Sequence, residues 1–193
     1  MLSPLYISLR QAESLAARIR EDLGSLFHST QLTEVITSAS LAHQGLLGRV
    51  PALWLSDVDL ASVPAEHLAS LASCVESNVG ISNVCHTDLS SVLNSVNSDQ
   101  LSIHSQTLSS EETRALVMAM ETGVERLRLG CSGDVSLDIR ALTRYSGQGR
   151  CQNLMIWDSG DRYLEEVRSW AQRRDWDITH DNYRDFVVIE RKL

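Results

Sequence analysis

A chain of 193 residues and 21.4 kDa is long enough for one sizeable core or two small ones. Its 43% hydrophobic and 22% charged content is that of a soluble globular protein; only 5% is aromatic, so the core must be mostly Leu, Val, Ile and Ala. A formal charge of −8 lacks the basic footprint of a general nucleic-acid binder, and no run of about 18 apolar residues offers a membrane span.

The chain opens with a heptad-like stretch. Leu2, Leu5, Leu9, Ala12, Ala16, Ile19, Leu23 and Leu26 are spaced alternately three and four apart, which places them on one face of a helix. Ser3 before Pro4 suits its start. Residues 1–31 are therefore read as an N-terminal amphipathic helix or cap, through whose first 27 residues the chain could self-associate. Arg10 and Glu13 interrupt the apolar residues, so no secretory leader is expected. Residues 35–50 read as a shortened strand-and-turn unit, with Val35-Ile36-Thr37 as its strand and a brief turn from His43 to Leu47.

From about residue 50 the chain repeats. The pairs Leu53-Trp54-Leu55, Val79-Gly80-Ile81, Leu101-Ser102-Ile103, Leu127-Arg128-Leu129 and Leu154-Met155-Ile156 recur at spacings of 26, 22, 26 and 27 residues. Each is followed by a polar stretch and then by apolar residues at helical spacing. Those are Leu68, Leu71, Ala72 and Val75; Leu89, Val92, Leu93 and Val96; Leu116, Ala119, Met120 and Val124; Leu137, Leu142 and Tyr145; and Leu164, Val167, Trp170 and Ala171. Pro64, Thr87 and Asp161 suit helix starts, and Ser109 with Glu112 forms a capping box. The loop Ser146-Gly147-Gln148-Gly149 would end the fourth helix through a left-handed glycine. Asp177-Ile178-Thr179 reads as a degenerate sixth strand and Phe186-Val187-Val188-Ile189 as a closing one. A unit of strand, turn and helix with a period in the twenties is the signature of a strand–helix solenoid, because one unit cannot bury its own apolar faces alone. The expected fold is α/β: a solenoid with a parallel sheet over residues 32–180, a cap before it and a cap strand over 181–193.

The segments VPALWLSDVDL, VERLRLGCSG and CQNLMIWDSG, with echoes in NVGISNV and DQLSIHS, resemble the leucine-rich-repeat family. They are similar to its ribonuclease-inhibitor-like strand–helix type and to the repeat tails of NACHT-type intracellular immune receptors. The family carries Asn or Cys three residues after the second apolar strand position; here those positions hold Val58, Val84, Gln106, Ser132 and Ser159, so its bonding ladder is missing. The resemblance implies a cytoplasmic binding scaffold with a role in innate immunity, and no catalytic residue.

The chemistry-bearing residues agree with a scaffold. Lys192 is the sole lysine, which leaves no P-loop and no internal Schiff-base candidate. Cys74, Cys85, Cys131 and Cys151 show no C-x-x-C spacing, and Cys85-His86 lacks companions at ligand spacing, so no metal and no cofactor are expected. Cys131 and His104 could meet as a dyad after adjacent strands, but nothing local marks Cys131 as activated. From Val50 to Thr113 there is no Lys or Arg, and eight of the 25 acids lie there: Asp57, Asp59, Glu66, Glu76, Asp88, Asp99, Glu111 and Glu112. The other 17 acids balance the 17 bases, so the whole net charge belongs to this segment, which as one surface would suit a basic partner.

Side-chain alternation turns the flanks and middles of the Leu-x-Leu pairs outward. The candidate partner-binding residues are Trp54, Ser102, His104, Arg126, Arg128, Asn153, Met155 and Trp157, with Ser56, Gly80 and Ser82 beside them. Trp, Arg and Met are residues of interface centres, and the two arginines suit an acidic partner segment. The function expected is a non-enzymatic protein-interaction module with a protein partner, no nucleic acid and no membrane. The alternatives are a small intracellular hydrolase or transferase using an unmarked Cys or Ser, and an oligomerisation module.

Overall fold

The computed structural model describes residues 27–29, 32–85, 88–131, 145–158, 164–180 and 186–191. The heptad stretch before Phe27, the helix expected around Leu137 and Leu142, and the caps expected at Thr87 and Asp161 lie outside them.

In chain order the elements are β1 (Phe27–Ser29), α1 (Leu32–His43), β2 (Val50–Ser56), α2 (Ala65–Ser73), β3 (Val75–Ser82), α3 (Ser90–Ser95) and β4 (Gln100–His104). They continue with α4 (Ser110–Thr122), β5 (Arg126–Cys131), β6 (Asn153–Asp158), α5 (Leu164–Arg173), β7 (Trp176–His180) and β8 (Phe186–Arg191). The fold is α/β with one open, mostly parallel sheet of eight strands in the order β1-β2-β3-β4-β5-β6-β8-β7. From β1 to β6 each strand pairs in parallel with the next one along the chain.

The Leu-x-Leu pairs set the register. Leu53, Val79, Leu101, Leu127 and Leu154 align as one row, and Leu55, Ile81, Ile103, Leu129 and Ile156 as a second. All ten are buried in one cluster with Leu68, Leu71, Val92, Leu93, Leu116 and Met120 from the helices. Each fully buried Leu or Ile contributes about 1.5–3 kcal/mol relative to exposure. Each of α2, α3 and α4 packs against its predecessor, so the helices form a layer on the face to which these rows point. A one-residue slip would turn both rows to the other side, which is why register is strongly specified.

The turns repeat as well. Asp57, Asn83 and Ser105 follow β2, β3 and β4 at the same position and all take positive φ, 52°, 49° and 48°. The N–H of each donates to the end of the next strand, at Ser82, His104 and Gly130. The capping box at α4 is present: Ser109 accepts from the Glu112 N–H and Glu112 accepts from the Ser109 N–H. Buried Glu112 also accepts from the Leu89 N–H at 2.7 Å, tying the start of α4 to the start of α3. Gly147 takes the left-handed conformation, with φ 77°.

Three expectations are corrected. Val35-Ile36-Thr37 is helical, within α1, and the strand of that unit is β1. The β-branched run favours a strand locally, but Val35, Ala39 and Ala42 lie at helical spacing and are buried against the core, and that burial prevails. Asp177-Ile178-Thr179 is a strand within β7 but does not pair with the fifth unit: β8 returns between them, antiparallel to both β6 and β7. The bonding ladder is present at one position, because the Gln106 side chain bonds Val84 of the preceding unit.

Candidate partner-binding face

The face of the sheet turned away from the helices is built from three aligned rows of outward positions. The middle row is Trp54, Gly80, Ser102, Arg128 and Met155. Toward the strand starts run Ala52, Asn78, Gln100, Arg126 and Asn153; toward the strand ends run Ser56, Ser82, His104, Gly130 and Trp157. Neighbouring strands lie about 4.8 Å apart, so the rows form one continuous surface.

Two glycines shape it. The Trp54 indole lies over Gly80, where any added Cβ would collide with the indole ring. The His104 imidazole lies in the same way over Gly130. The two rings then meet, with centroids 5.6 Å apart and planes tilted by 34°. The result is a partly buried aromatic shelf running from β2 to β5. Burial first, and the Arg128 guanidinium second, push the His104 imidazole below its usual range, so the ring is held toward its neutral form.

Ser102 does not offer its hydroxyl to solvent. It is 1% exposed; its Oγ donates to Asn78 Oδ1 at 3.3 Å and accepts from Gln100 Nε2 at 3.2 Å. It therefore fixes the amide row rather than the surface. Asn153 is committed too, since its Nδ2 donates to Glu190 Oε1 at 2.7 Å. Arg128 and Met155 are partly buried, and Arg126 is exposed. Trp157 is brought to the register position beside Gly130 and Phe186.

Beside Arg126 is an open cleft of about 280 Å³, lined by Glu125, Arg126, Gln152, Asn153, Glu190 and Arg191. Its polar groups are largely paired. Arg150 holds Glu125 at 3.0 Å, with Asp99 at 3.8 Å, and Arg191 donates to the Gly149 carbonyl and to Gln148 Oε1. Asn78 and Gln100 could have been found from the sequence, since they share the alternation that marks Arg126 and Asn153. Glu190 could not, because it arrives on a returning antiparallel strand.

The acidic segment divides between the two rims of the sheet, with six of its eight acids on one. Asp57, Asp59, Glu66, Asp88, Glu111 and Glu112 lie at strand ends and helix starts, while Glu76 and Asp99 lie at the opposite rim. Several serve local structure: Asp59 accepts from the Ala61 N–H, Asp88 from the Ser90 N–H and Asp57 from Asn83 Nδ2. Carboxylates at helix starts are also favoured by the helix dipole.

Among the described residues no cluster of three or more His, Cys, Asp or Glu side chains is placed to hold a metal ion, and no helix is long and apolar enough to cross a membrane. Compared with protein-family models, with curated proteins and with solved structures, the chain matches none.

Proposed function

We propose that this chain is a leucine-rich-repeat-like strand–helix solenoid that works, without catalysis, as a protein-interaction module of the cytoplasm, of the kind that serves as the recognition tail of an immune-type receptor. The observation that carries the reading is the helix-free face, whose outward residues align in unbroken rows across five parallel strands. Two features favour the solenoid reading: the left-handed turn recurs at Asp57, Asn83 and Ser105, and the single Gln106–Val84 tie joins two repeat-equivalent positions. The partner docks toward the C-terminal half, from His104 to Arg126, Arg128 and Met155, the last three lying beyond the Lys- and Arg-free segment that would repel an acidic surface. The test is partner capture from the native source with Arg128→Glu and Trp54→Ala as controls. Arg128→Glu lowers capture at least tenfold. If neutralising Asp57, Asp59 and Glu66 together abolishes capture while Arg128→Glu does nothing, the site is the acidic rim instead.

A further inference from the structure

Arg126 and Arg128 stand two residues apart on β5, so their side chains leave the same face about 6.6 Å apart along the strand. Their cross-strand neighbours are all neutral: Gln100 and Asn153 flank Arg126, and Ser102 and Met155 flank Arg128. The nearby carboxylates are engaged elsewhere, Glu125 by Arg150 and Glu190 by Asn153. Neither guanidinium makes a hydrogen bond or an ion pair among the described residues. Two positions further along the same strand face, Gly130 contributes no side chain and the His104 ring lies over it, continuing into Trp54. Along β5 the face therefore presents a cation, a second cation and a flat ring, at a period of two residues.

An extended peptide has the same period on each of its own faces. We infer that the occupant of this face is an acidic peptide segment lying extended along β5. Carboxylates at alternate residues meet Arg126 and Arg128, and a flat aromatic or proline side chain two residues further on rests on the His104 and Trp54 rings. This rests on the binding reading above and adds the chemistry of the partner. Arg–carboxylate pairs are charge-assisted and geometrically specific, and Arg128 is already partly withdrawn from water, which strengthens its pairing. Neutral His104 keeps the shelf a stacking surface rather than a third cation. Stacking rings beside arginines would also suit a single nucleic-acid strand, but a surplus of eight negative charges opposes a polyanion far more than a short peptide.

The probe is a fluorescein-labelled synthetic peptide alternating aspartate and serine and ending in tryptophan, titrated by anisotropy against the full chain. Its controls carry asparagine in place of aspartate, or alanine in place of tryptophan. We expect the asparagine peptide to bind at least tenfold more weakly, and Arg126→Gln and Arg128→Gln each to weaken the aspartate peptide about tenfold with unchanged urea midpoints. Trp54→Ala should lower affinity for the tryptophan peptide and leave the alanine peptide unaffected. Equal binding of the asparagine peptide, no binding of the aspartate peptide, or tighter binding of oligothymidylate would overturn the proposal. A photo-reactive residue at position 155 separates the two readings. If cross-links to a native partner are lost on Trp54→Ala while the peptide fails, the face binds but its occupant is not acidic. If cross-links ignore every face variant, the binding reading itself falls.

Discussion

The side-chain amide of Gln106 pairs with both backbone polar groups of Val84, 22 residues earlier: Oε1 accepts the Val84 N–H at 2.8 Å and Nε2 donates to its carbonyl at 2.9 Å. One side chain thus acts as a length of strand between two consecutive turns. Leu60 and Cys85 perform the equivalent bonding between the preceding turns with backbone alone, the Leu60 N–H donating to Cys85 and the Cys85 N–H to Val58.

Replacing Gln106 leaves a partly buried N–H and C=O unpaired. Gln106→Leu should therefore cost about 1–3 kcal/mol, the penalty for an unsatisfied buried polar group, although it adds apolar surface. The urea midpoint measures it. A midpoint equal to that of the parent would mean that water replaces the amide without loss.

Leu127 and Leu154 are neighbours in the inward row, and both are 0% exposed. Alanine at either leaves a cavity between sheet and helices, and each change should cost about 2–5 kcal/mol. Because the two are register partners across the β5–β6 ladder and share one buried cluster, the double change should fall short of or exceed the sum rather than match it. Equilibrium urea unfolding of the two single variants and the double variant checks both statements.

Gly80 exists to let Trp54 lie flat. Gly80→Ala should displace the indole, alter the near-ultraviolet circular dichroism and destabilise the fold by about 1–3 kcal/mol through overpacking. In a Trp54→Ala background the same change should cost little, since the collision is gone. A cycle with no coupling between the two positions would show that the ring does not rest there.

At the C-terminal end, Tyr145, Trp170 and Trp176 pack as an aromatic cluster, and the Tyr145 hydroxyl donates to the Cys151 carbonyl at 3.1 Å. Burial, and then the nearby Cys151 thiolate charge, push the Tyr145 phenol up to about 12; burial does the same to the Cys151 thiol. Both groups hold their protons more tightly folded than unfolded. Their contribution is therefore complete below the unfolded values of about 9 and 10 and is lost as pH rises toward 12. Stability should fall between about pH 9 and 12, and less steeply in Tyr145→Phe. Iodoacetamide at pH 8 should label exposed Cys85 in the native protein and leave Cys151 untouched until unfolding.

Periodicity in the sequence carried the inner architecture. Five Leu-x-Leu pairs, with apolar residues at helical spacing after each, determine the parallel register, the buried rows and, by alternation, which residues turn outward. The Ser109–Glu112 box was legible because capping is local chemistry, and so was a left-handed glycine in the loop from Ser146 to Gly149, which the structure places at Gly147. Tertiary structure decided what depends on distant partners. It made a helix of Val35-Ile36-Thr37, because burial of Val35 and Ala39 outweighs β-propensity. It inserted β8 beside β6, since antiparallel return leaves no periodic trace. It also decided what the outward residues do: Ser102 is sealed beneath two amides and Asn153 is held by Glu190, while Trp54 and His104 lie flat because glycines happen to face them across the ladder. A sequence lists which side chains share a face; only the packing above that face determines which of them remain available to a partner.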